Sequence, residues 1–206
     1  MHARIKTILL LLLATQLTPV IAEPAFPDPR NVLIADFETQ AAWQIHFRTL
    51  SEASGYVRIE DLDPGPIVES PAYLHIRFRG PGPTGFRIQP EEPFALEGYV
   101  ESLDFWAYGT GRPDQVDLEV IDQNNRLHRI RGTSLEFTGW KQIQVRIPPA
   151  VRQRAGHILG RNGLQFRGFF VQPAAGQTPA DCRFHLDQIG ARVWEYYQAP
   201  GMADVL

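Results

Sequence analysis

Residues 100–109 read Val-Glu-Ser-Leu-Asp-Phe-Trp-Ala-Tyr-Gly, and this stretch decides the fold class. Its apolar residues Leu103, Phe105 and Ala107 recur at every second position. Successive side chains of a β-strand point to opposite faces of a sheet, so the pattern predicts a strand with one buried face. The same alternation recurs at residues 116–120 and 143–147, which predicts a sheet built from several such strands.

Eight further segments have the composition of strands and are separated by Gly- and Pro-rich breakers. The polar residues 122–125 form a turn signal, so residues 115–131 are predicted to form a β-hairpin. No segment has a sustained helical period, and residues 150–159 are the best candidate for a short helix. We therefore predict an all-β protein, a β-sandwich of jelly-roll type. The eight segments are residues 31–37, 43–49, 56–60, 73–79, 85–89, 127–131, 165–172 and 183–194.

The last predicted strand changes phase in its middle. Its apolar residues occupy even positions up to Leu186 and odd positions from Ile189 onward. A slip of one residue moves every later side chain to the other face of the sheet, and a β-bulge is the ordinary way to absorb it. The sequence therefore predicts a bulge at Asp187 and Gln188.

The predicted core is formed by the inward residues of these strands. The single cysteine, Cys182, shares the parity of Phe184 and Leu186, which predicts a buried thiol and excludes a disulfide within the chain. We expect Phe105, Leu118, Val120, Trp140, Val145, Phe184 and Leu186 to carry the fold.

The N-terminus has the features of a secretory signal peptide. A basic start precedes the apolar residues 8–14, and small or aliphatic residues stand at 20–22. The apolar run is far shorter than the roughly 20 residues that cross a bilayer, so we expect no membrane span after cleavage. Removing 22 of the 206 residues leaves 18 Lys and Arg against 23 Asp and Glu, a net charge of −5 that argues against nucleic-acid binding. The predicted organisation is a signal peptide at 1–22, an extended Pro-rich lead-in at 23–30, the β-sandwich at 31–197 and a tail at 198–206.

Searches for catalytic motifs find no zinc-protease, nucleophile-elbow, phosphate-loop or dinucleotide signature. His185 and Asp187 share a strand face without a nucleophile beside them, which favours a solvent-facing polar pair. Asp117 and Glu119 stand about 7 Å apart on a strand, a spacing that glycosidases use, but almost any polar strand face offers it. Solvation of an acidic face explains the pair without a substrate. The sequence therefore predicts a protein that is not an enzyme.

Two binding sites are predicted from side-chain types. Asp36 and Glu38 lie near the start of the sandwich and Asp187 lies in its last strand, where the three acids could bind a structural Ca²⁺. Surface acids, or a buried Asp bonded to backbone amides, are the alternative. Trp106 and Tyr108 point away from the core side of their strand and could stack on sugar rings. Burial of both rings under loops is the alternative there.

A family resemblance emerges from motifs spread over residues 100–189. They are residues 100–109 quoted above, Leu-Glu-Val-Ile-Asp at 118–122, Leu-Glu-Phe-Thr-Gly-Trp-Lys at 135–141, Val-Arg-Ile-Pro at 145–148 and Phe-His-Leu-Asp-Gln at 184–188. In order and spacing they resemble the flagellar filament outer layer family of spirochaetes, FlaA. The N-terminal half matches more loosely, through Ile-Ala-Asp-Phe-Glu at 34–38 and Trp43.

The resemblance implies a non-enzymatic sheath subunit of the periplasmic flagellum, located in the periplasm, that affects filament shape and motility. Its implied partners are the flagellin core filament and other sheath subunits, with self-association in a helical lattice. The Asp-Phe-Glu and Leu-Asp-Gln motifs also resemble carbohydrate-binding modules of galactose-binding-like fold, so a secreted or periplasmic carbohydrate-binding module is the alternative. Apart from the Ca²⁺, no cofactor is implied.

Overall fold

The computed structural model describes residues 28–38, 43–47, 54–60, 66, 72–80, 85–153, 163–174 and 180–194. The predicted signal peptide, the tail at 198–206 and residues 154–159 of the candidate helix lie outside them, and residues 148–151 form a turn in which the Val151 N–H donates to the Pro148 carbonyl. None of the described segments is a helix long and apolar enough to cross a membrane. Twelve strands are described: β1 (Arg30–Ala35), β2 (Trp43–Phe47), β3 (Ser54–Glu60), β4 (Tyr73–Gly80), β5 (Phe86–Pro90), β6 (Phe94–Leu96), β7 (Tyr99–Thr110), β8 (Gln115–Ile121), β9 (Leu127–Ser134), β10 (Thr138–Arg146), β11 (Leu164–Gln172) and β12 (Ala180–Trp194).

The strands form two antiparallel sheets, which confirms the predicted β-sandwich. Sheet A has the order β10-β7-β12-β4-β3 with β1 beside β12, and sheet B has the order β2-β5-β11-β8-β9 with β6 beside β11. Both sheets share one plan. A long central strand has a single long neighbour on one edge and two shorter strands in succession on the other: β4 and β1 flank β12, while β5 and β6 flank β11.

Eleven of the twelve strands lie where the alternating pattern predicts them. The exception is β6, whose three residues pair only with the start of β11, too short a run for an alternation to show. The predicted hairpin is confirmed by the antiparallel pairing of β8 and β9. Asp122 holds its turn, because the backbone N–H groups of Asn124 and Arg126 donate to Asp122 Oδ1 at 2.8 and 3.0 Å.

The core lies between the sheets and is rich in phenylalanine. Phe105 of sheet A packs edge-on against Phe169 of sheet B, with ring centroids 5.1 Å apart. Cys182 is buried, as predicted, and burial raises the pKa of its thiol. Six of the seven predicted core residues are buried. The prediction for Trp140 is wrong, because this residue has the parity of the outward strand positions and lies half-buried on the outer face of sheet A.

The predicted bulge in β12 is also present. The register of β12 against β7 shifts between Asp187 and Gly190, and Gln188 has a positive φ of 43°. Leu186 before the shift and Ile189 after it are both fully buried. The bulge therefore keeps the apolar residues of both halves of β12 on the core side.

Two glycines with positive φ, Gly168 in β11 of sheet B and Gly139 in β10 of sheet A, provide a test of how closely β11 approaches β5. A Cβ on Gly168 (φ 139°) would lie 2.3 Å from the Ile88 carbonyl oxygen of β5, whereas a Cβ on Gly139 (φ 89°) would have nothing within 4 Å. Gly139→Ala should lower the free energy of unfolding by about 1 kcal/mol, through backbone strain alone. Gly168→Ala should lower it by about 3 kcal/mol, because a steric clash adds to the strain. Urea unfolding of both variants measures the difference, and equal losses would contradict the close approach of β11 and β5.

Candidate binding face

The outer face of sheet A carries a contiguous group of aromatic rings, here called the ring cluster. The strand register sets four of them in one row, with Tyr108 beside Trp140 on one side and beside His185 on the other, and His185 beside His75. The cluster comprises Tyr56, Tyr73, His75, Tyr108, Trp140 and His185, with neighbouring ring centroids 4.7 to 6.1 Å apart. Tyr73 and His75 are buried, whereas Tyr56 is exposed and Tyr108, Trp140 and His185 are half-buried. These four rings offer an amphipathic surface for flat ligands.

A polar groove lies on the same face, toward the end of the sheet where β7 begins. It has a volume of about 650 Å³. Burial raises the pKa of its Asp104, and a hydrogen bond from Gln142 opposes that shift. Side-chain amides are prominent in its wall and can exchange hydrogen bonds with hydroxyl groups. The groove is lined by Asn31, Val32, Leu33, Asp104, Gln142, Gln144, Gln188, Gly190, Ala191 and Arg192.

The predicted ligand-binding residues Trp106 and Tyr108 lie on this face. Both are half-buried, while Phe105 and Ala107 between and beside them are fully buried on the other side of the strand. In the register of β7 and β10, Trp106 stands between Asp104 of the groove and Tyr108 of the ring cluster. Trp106 therefore connects the groove with the ring cluster, and neither ring is enclosed in the core.

His185 is held in its neutral form within the ring cluster. Burial, followed by the proximity of His75 and Arg183, lowers the pKa of His185 to about 4. Its Nδ1 is buried without a hydrogen-bond partner among the described residues. At neutral pH the imidazole is therefore an uncharged ring, suited to packing and to hydrogen bonding with a neutral ligand.

Two acids of the predicted Ca²⁺ site, Asp36 and Glu38, accept hydrogen bonds from the backbone. The Glu38 backbone N–H donates to Asp36 Oδ1 at 3.1 Å, and the Ala72 N–H donates to Glu38 Oε1 at 3.0 Å. Asp187 is fully buried, so it is not the solvent-facing residue predicted from the sequence. No three or more His, Cys, Asp or Glu side chains of the described residues form a group that could hold a metal ion. The Ca²⁺ site stays a prediction.

Burial shapes the chemistry of Asp187. Its Oδ1 accepts a hydrogen bond from the Gln188 N–H at 2.7 Å, while its Oδ2 has no partner among the described residues. Desolvation, with smaller contributions from the charges of Glu38 and Asp36, raises the pKa of Asp187 to about 7. The carboxyl group is therefore poised between its two protonation states near neutral pH.

The sequence suggested that Asp117 and Glu119, on the outer face of sheet B, form a solvated acidic surface. The structure shows otherwise. Glu119 is buried beneath Arg87 at 2.7 Å and Arg129 at 3.3 Å. Asp117 accepts hydrogen bonds from the Gln115 side chain and from the Gly132 N–H. Both carboxylates thus have internal partners, which gives them a structural explanation that needs no substrate.

Several residues of the ring cluster were not identified from the sequence. Tyr73 and His75 alternate with the core residues Leu74 and Ile76, so their direction toward the outer face was readable, although both are buried there. What the sequence did not show was that β4 pairs with β12 and so places them beside His185. The alternation within each strand showed which residues face outward, but the sequence did not show the order of the strands in the sheet.

Comparison with known proteins supports the resemblance found in the sequence. The family model of the flagellar filament outer layer protein FlaA matches residues 96–193, a stretch that runs from β6 almost to the end of β12. A flagellar filament outer layer-like protein of Brachyspira hyodysenteriae is 26% identical over 177 residues, which are 82% of this chain and 81% of that protein. The resemblance to the flagellar outer layer family is confirmed.

Solved structures with a similar fold are carbohydrate-binding modules. The family 11 module of Clostridium thermocellum, solved with a β-1,3-1,4-mixed-linked tetrasaccharide, has a TM-score of 0.52 and 13% identity, covering 83% of this chain and 99% of that chain. A carbohydrate-binding module of the β-sandwich superfamily has a TM-score of 0.51 and 14% identity, covering 75% of this chain and 59% of that chain. At these identities the likeness shows the β-sandwich fold alone.

Asp187 makes the stability of the fold depend on pH. Between pH about 4 and 7 the folded state keeps a proton that the unfolded state, with an ordinary pKa of 3.8, releases. The free energy of unfolding therefore falls as pH rises through this window. Asp187→Asn should remove that fall and be more stable than the parent by about 1–3 kcal/mol at pH 8, with little difference at pH 4. Urea unfolding at the two pH values measures it.

Asp181→Asn is the matched control, because Arg79 lowers the pKa of that exposed carboxyl group. This variant should be slightly less stable at pH 8, the opposite sign. A loss of stability for Asp187→Asn at pH 8 would contradict the unpartnered state of the carboxylate. If Asp187→Asn were less stable than the parent only when calcium is present, the result would support the Ca²⁺ site instead.

Proposed function

We propose that this protein is a structural or accessory subunit of the outer layer, or sheath, of the periplasmic flagellar filament. The observation that carries the proposal is the family match over residues 96–193, supported by a flagellar outer layer-like relative that aligns with 82% of the chain. The subunit contributes to filament shape and motility, and it works in the periplasm. Its partners are the flagellin core filament and other sheath subunits.

The architecture suits this task. A helical sheath is built from heterologous contacts, in which one surface of a subunit meets a different surface of the next. The two outer faces of this sandwich differ in that way: sheet A presents the ring cluster, and sheet B presents the ion pairs of Glu119 with Arg87 and Arg129. We propose that the role is structural and requires no catalytic group.

Fractionation tests the sheath proposal directly. Periplasmic flagella purified from the source organism should contain this protein in a fixed ratio to flagellin, and a deletion strain should yield filaments of altered curvature and stiffness. Quantitative mass spectrometry and electron microscopy of the filaments provide the measurements. Absence of the protein from purified filaments would remove the proposal.

Glycan binding is a second candidate function, favoured by one specific observation. Trp106 lies between a groove walled by side-chain amides and the ring cluster, in which Tyr56 is exposed and Tyr108, Trp140 and His185 are half-buried, on one face of the sandwich. Aromatic rings that stack on the apolar faces of sugars, beside amides that hydrogen-bond their hydroxyl groups, are what a glycan-binding surface needs. This function could operate within a sheath subunit or without one.

Truncation of the outward rings of β7 tests the glycan-binding function. If glycans stack on this face, Trp106→Ala and Tyr108→Ala should each weaken the binding of a soluble oligosaccharide about tenfold, without a change in fold. Leu127→Ala is the control, because Leu127 is 50% exposed on β9 of sheet B, so this variant removes an exposed apolar side chain away from the ring cluster and the groove. Isothermal titration calorimetry gives the affinities, and a glycan array without hits would remove this function.

A further inference from the structure

Beyond the ring cluster, the outer face of sheet A carries a group of arginines, here called the arginine cluster. It comprises Arg58, Arg77, Arg79 and Arg183. Arg77 of β4 lies directly opposite Arg183 of β12, and Arg58 of β3 lies opposite His75. The side chain of Arg77 is 39% exposed and that of Arg79 is 56% exposed, so both can reach a bound molecule.

The three arginines of β4 and β12 in this cluster, Arg77, Arg79 and Arg183, are only partly neutralised by the described residues. Asp181 forms ion pairs with Arg79 at 2.9 Å and with Arg77 at 4.0 Å. Arg183 forms no ion pair with a residue of the described part of the chain, and it is exposed. Like charges directly opposite one another on neighbouring strands repel and destabilise the sheet. The positive charge is local, because the chain as a whole has a net charge of −3 at pH 7. An anion bound between Arg77 and Arg183 would relieve the repulsion between them.

The arginine cluster continues a line of binding groups along the strands. Along β7, Asp104 lies in the polar groove, and Trp106 and Tyr108 with its row of rings come next. Thr110 lies beside Arg183, which is opposite Arg77. Six residues of extended strand span about 20 Å, which is the length of a short oligosaccharide. Hydrogen-bonding, stacking and charged groups therefore follow one another along a single extended path.

We propose that this face binds an acidic glycan, a sugar chain that carries carboxylate groups, with an acidic unit held by the arginine cluster. The inference rests on the glycan-binding function proposed above and names its ligand class. The planar guanidinium of Arg183 or Arg77 matches a carboxylate in a two-hydrogen-bond geometry. Neutral units of the chain stack on Trp106 and Tyr108, and their hydroxyl groups bond to the amides of the groove.

A sugar fits this path better than an acidic peptide does. Tyr56, 39% exposed, lies opposite Arg77, so aromatic surface continues into the arginine cluster itself. The Arg58 guanidinium lies over the Tyr56 ring, 5.1 Å from its centroid, so aromatic and positively charged groups adjoin at this point. An acidic peptide would bind to the arginines and would gain little from contact with Trp106 or with the polar groove.

The test compares two oligomers with the same backbone, β-1,4-linked glucose and β-1,4-linked glucuronate, which differ only in the carboxylate at C6. Titration calorimetry on the folded protein should find the glucuronate oligomer at least about tenfold tighter at low salt. This preference should shrink at high salt, because exposed charges are screened. Arg183→Gln should remove most of the preference, because the remaining Arg77 and Arg79 are paired with Asp181. Arg131→Gln, which removes an exposed arginine from β9 of sheet B, is the matched control and should change neither affinity.

Each outcome separates the two claims. If both oligomers bind equally and Trp106→Ala weakens both, glycan binding stands and the acidic preference is overturned. If neither oligomer binds, glycan binding and the acidic ligand fall together, while the sheath role is untouched. If polyglutamate binds as tightly as the glucuronate oligomer and Trp106→Ala has no effect on either, the surface recognises acidic peptides and the proposal is overturned. Thermal melts of all variants exclude unfolding as the cause of any loss.

Discussion

The register of β12 against its neighbours is the constraint on which the rest of the structure depends. β12 pairs with β7 along one edge, and with β4 and then β1 along the other. A strand of fifteen residues without a bulge would have turned the apolar residues of its second half to the outer face. The shift at Asp187 and Gln188 keeps both halves on the core. The same shift places Gln188 and Gly190 in the wall of the polar groove, so one local irregularity serves both the packing and the candidate binding face.

The two outer faces of the sandwich handle buried polar groups in opposite ways. On sheet B, Glu119 is buried but lies between two arginines, and Arg129 also packs over the Phe170 ring at 3.3 Å from its centroid. On sheet A, Asp187 Oδ2 and His185 Nδ1 are buried without hydrogen-bond partners among the described residues. Buried polar atoms without partners lower stability, and proteins tend to retain them where binding requires them. The contrast is a further argument for the binding proposed on sheet A.

The fold could be predicted from the sequence because each strand carries its own alternation. Residues 100–109, 116–120 and 143–147 each show which side chains face the core, and the phase change at Asp187 is visible in the same way. The placement of Trp140 could not be obtained so easily, because size alone favours burial, whereas its parity with Gln142 places it outside. The candidate site was predicted only as far as Trp106 and Tyr108. Its remaining rings come from β3, β4, β10 and β12, and strand order is a property of long-range pairing that no single segment encodes.

The family match covers only part of the candidate binding face. The residues inside the match and those outside it therefore need different explanations. The matched residues 96–193 include Trp106, Tyr108, Trp140 and His185, so the larger part of the ring row lies in the stretch that the flagellar family shares. Tyr56, His75 and three of the four arginines lie on β3 and β4, outside that match. The proposed sheath role, which rests on the family match, can therefore account for the rings of β7, β10 and β12 but not for those of β3 and β4. The positive charge at the end of the face has to be explained from the residues of this chain itself, through the repulsion between Arg77 and Arg183 that a bound carboxylate would relieve.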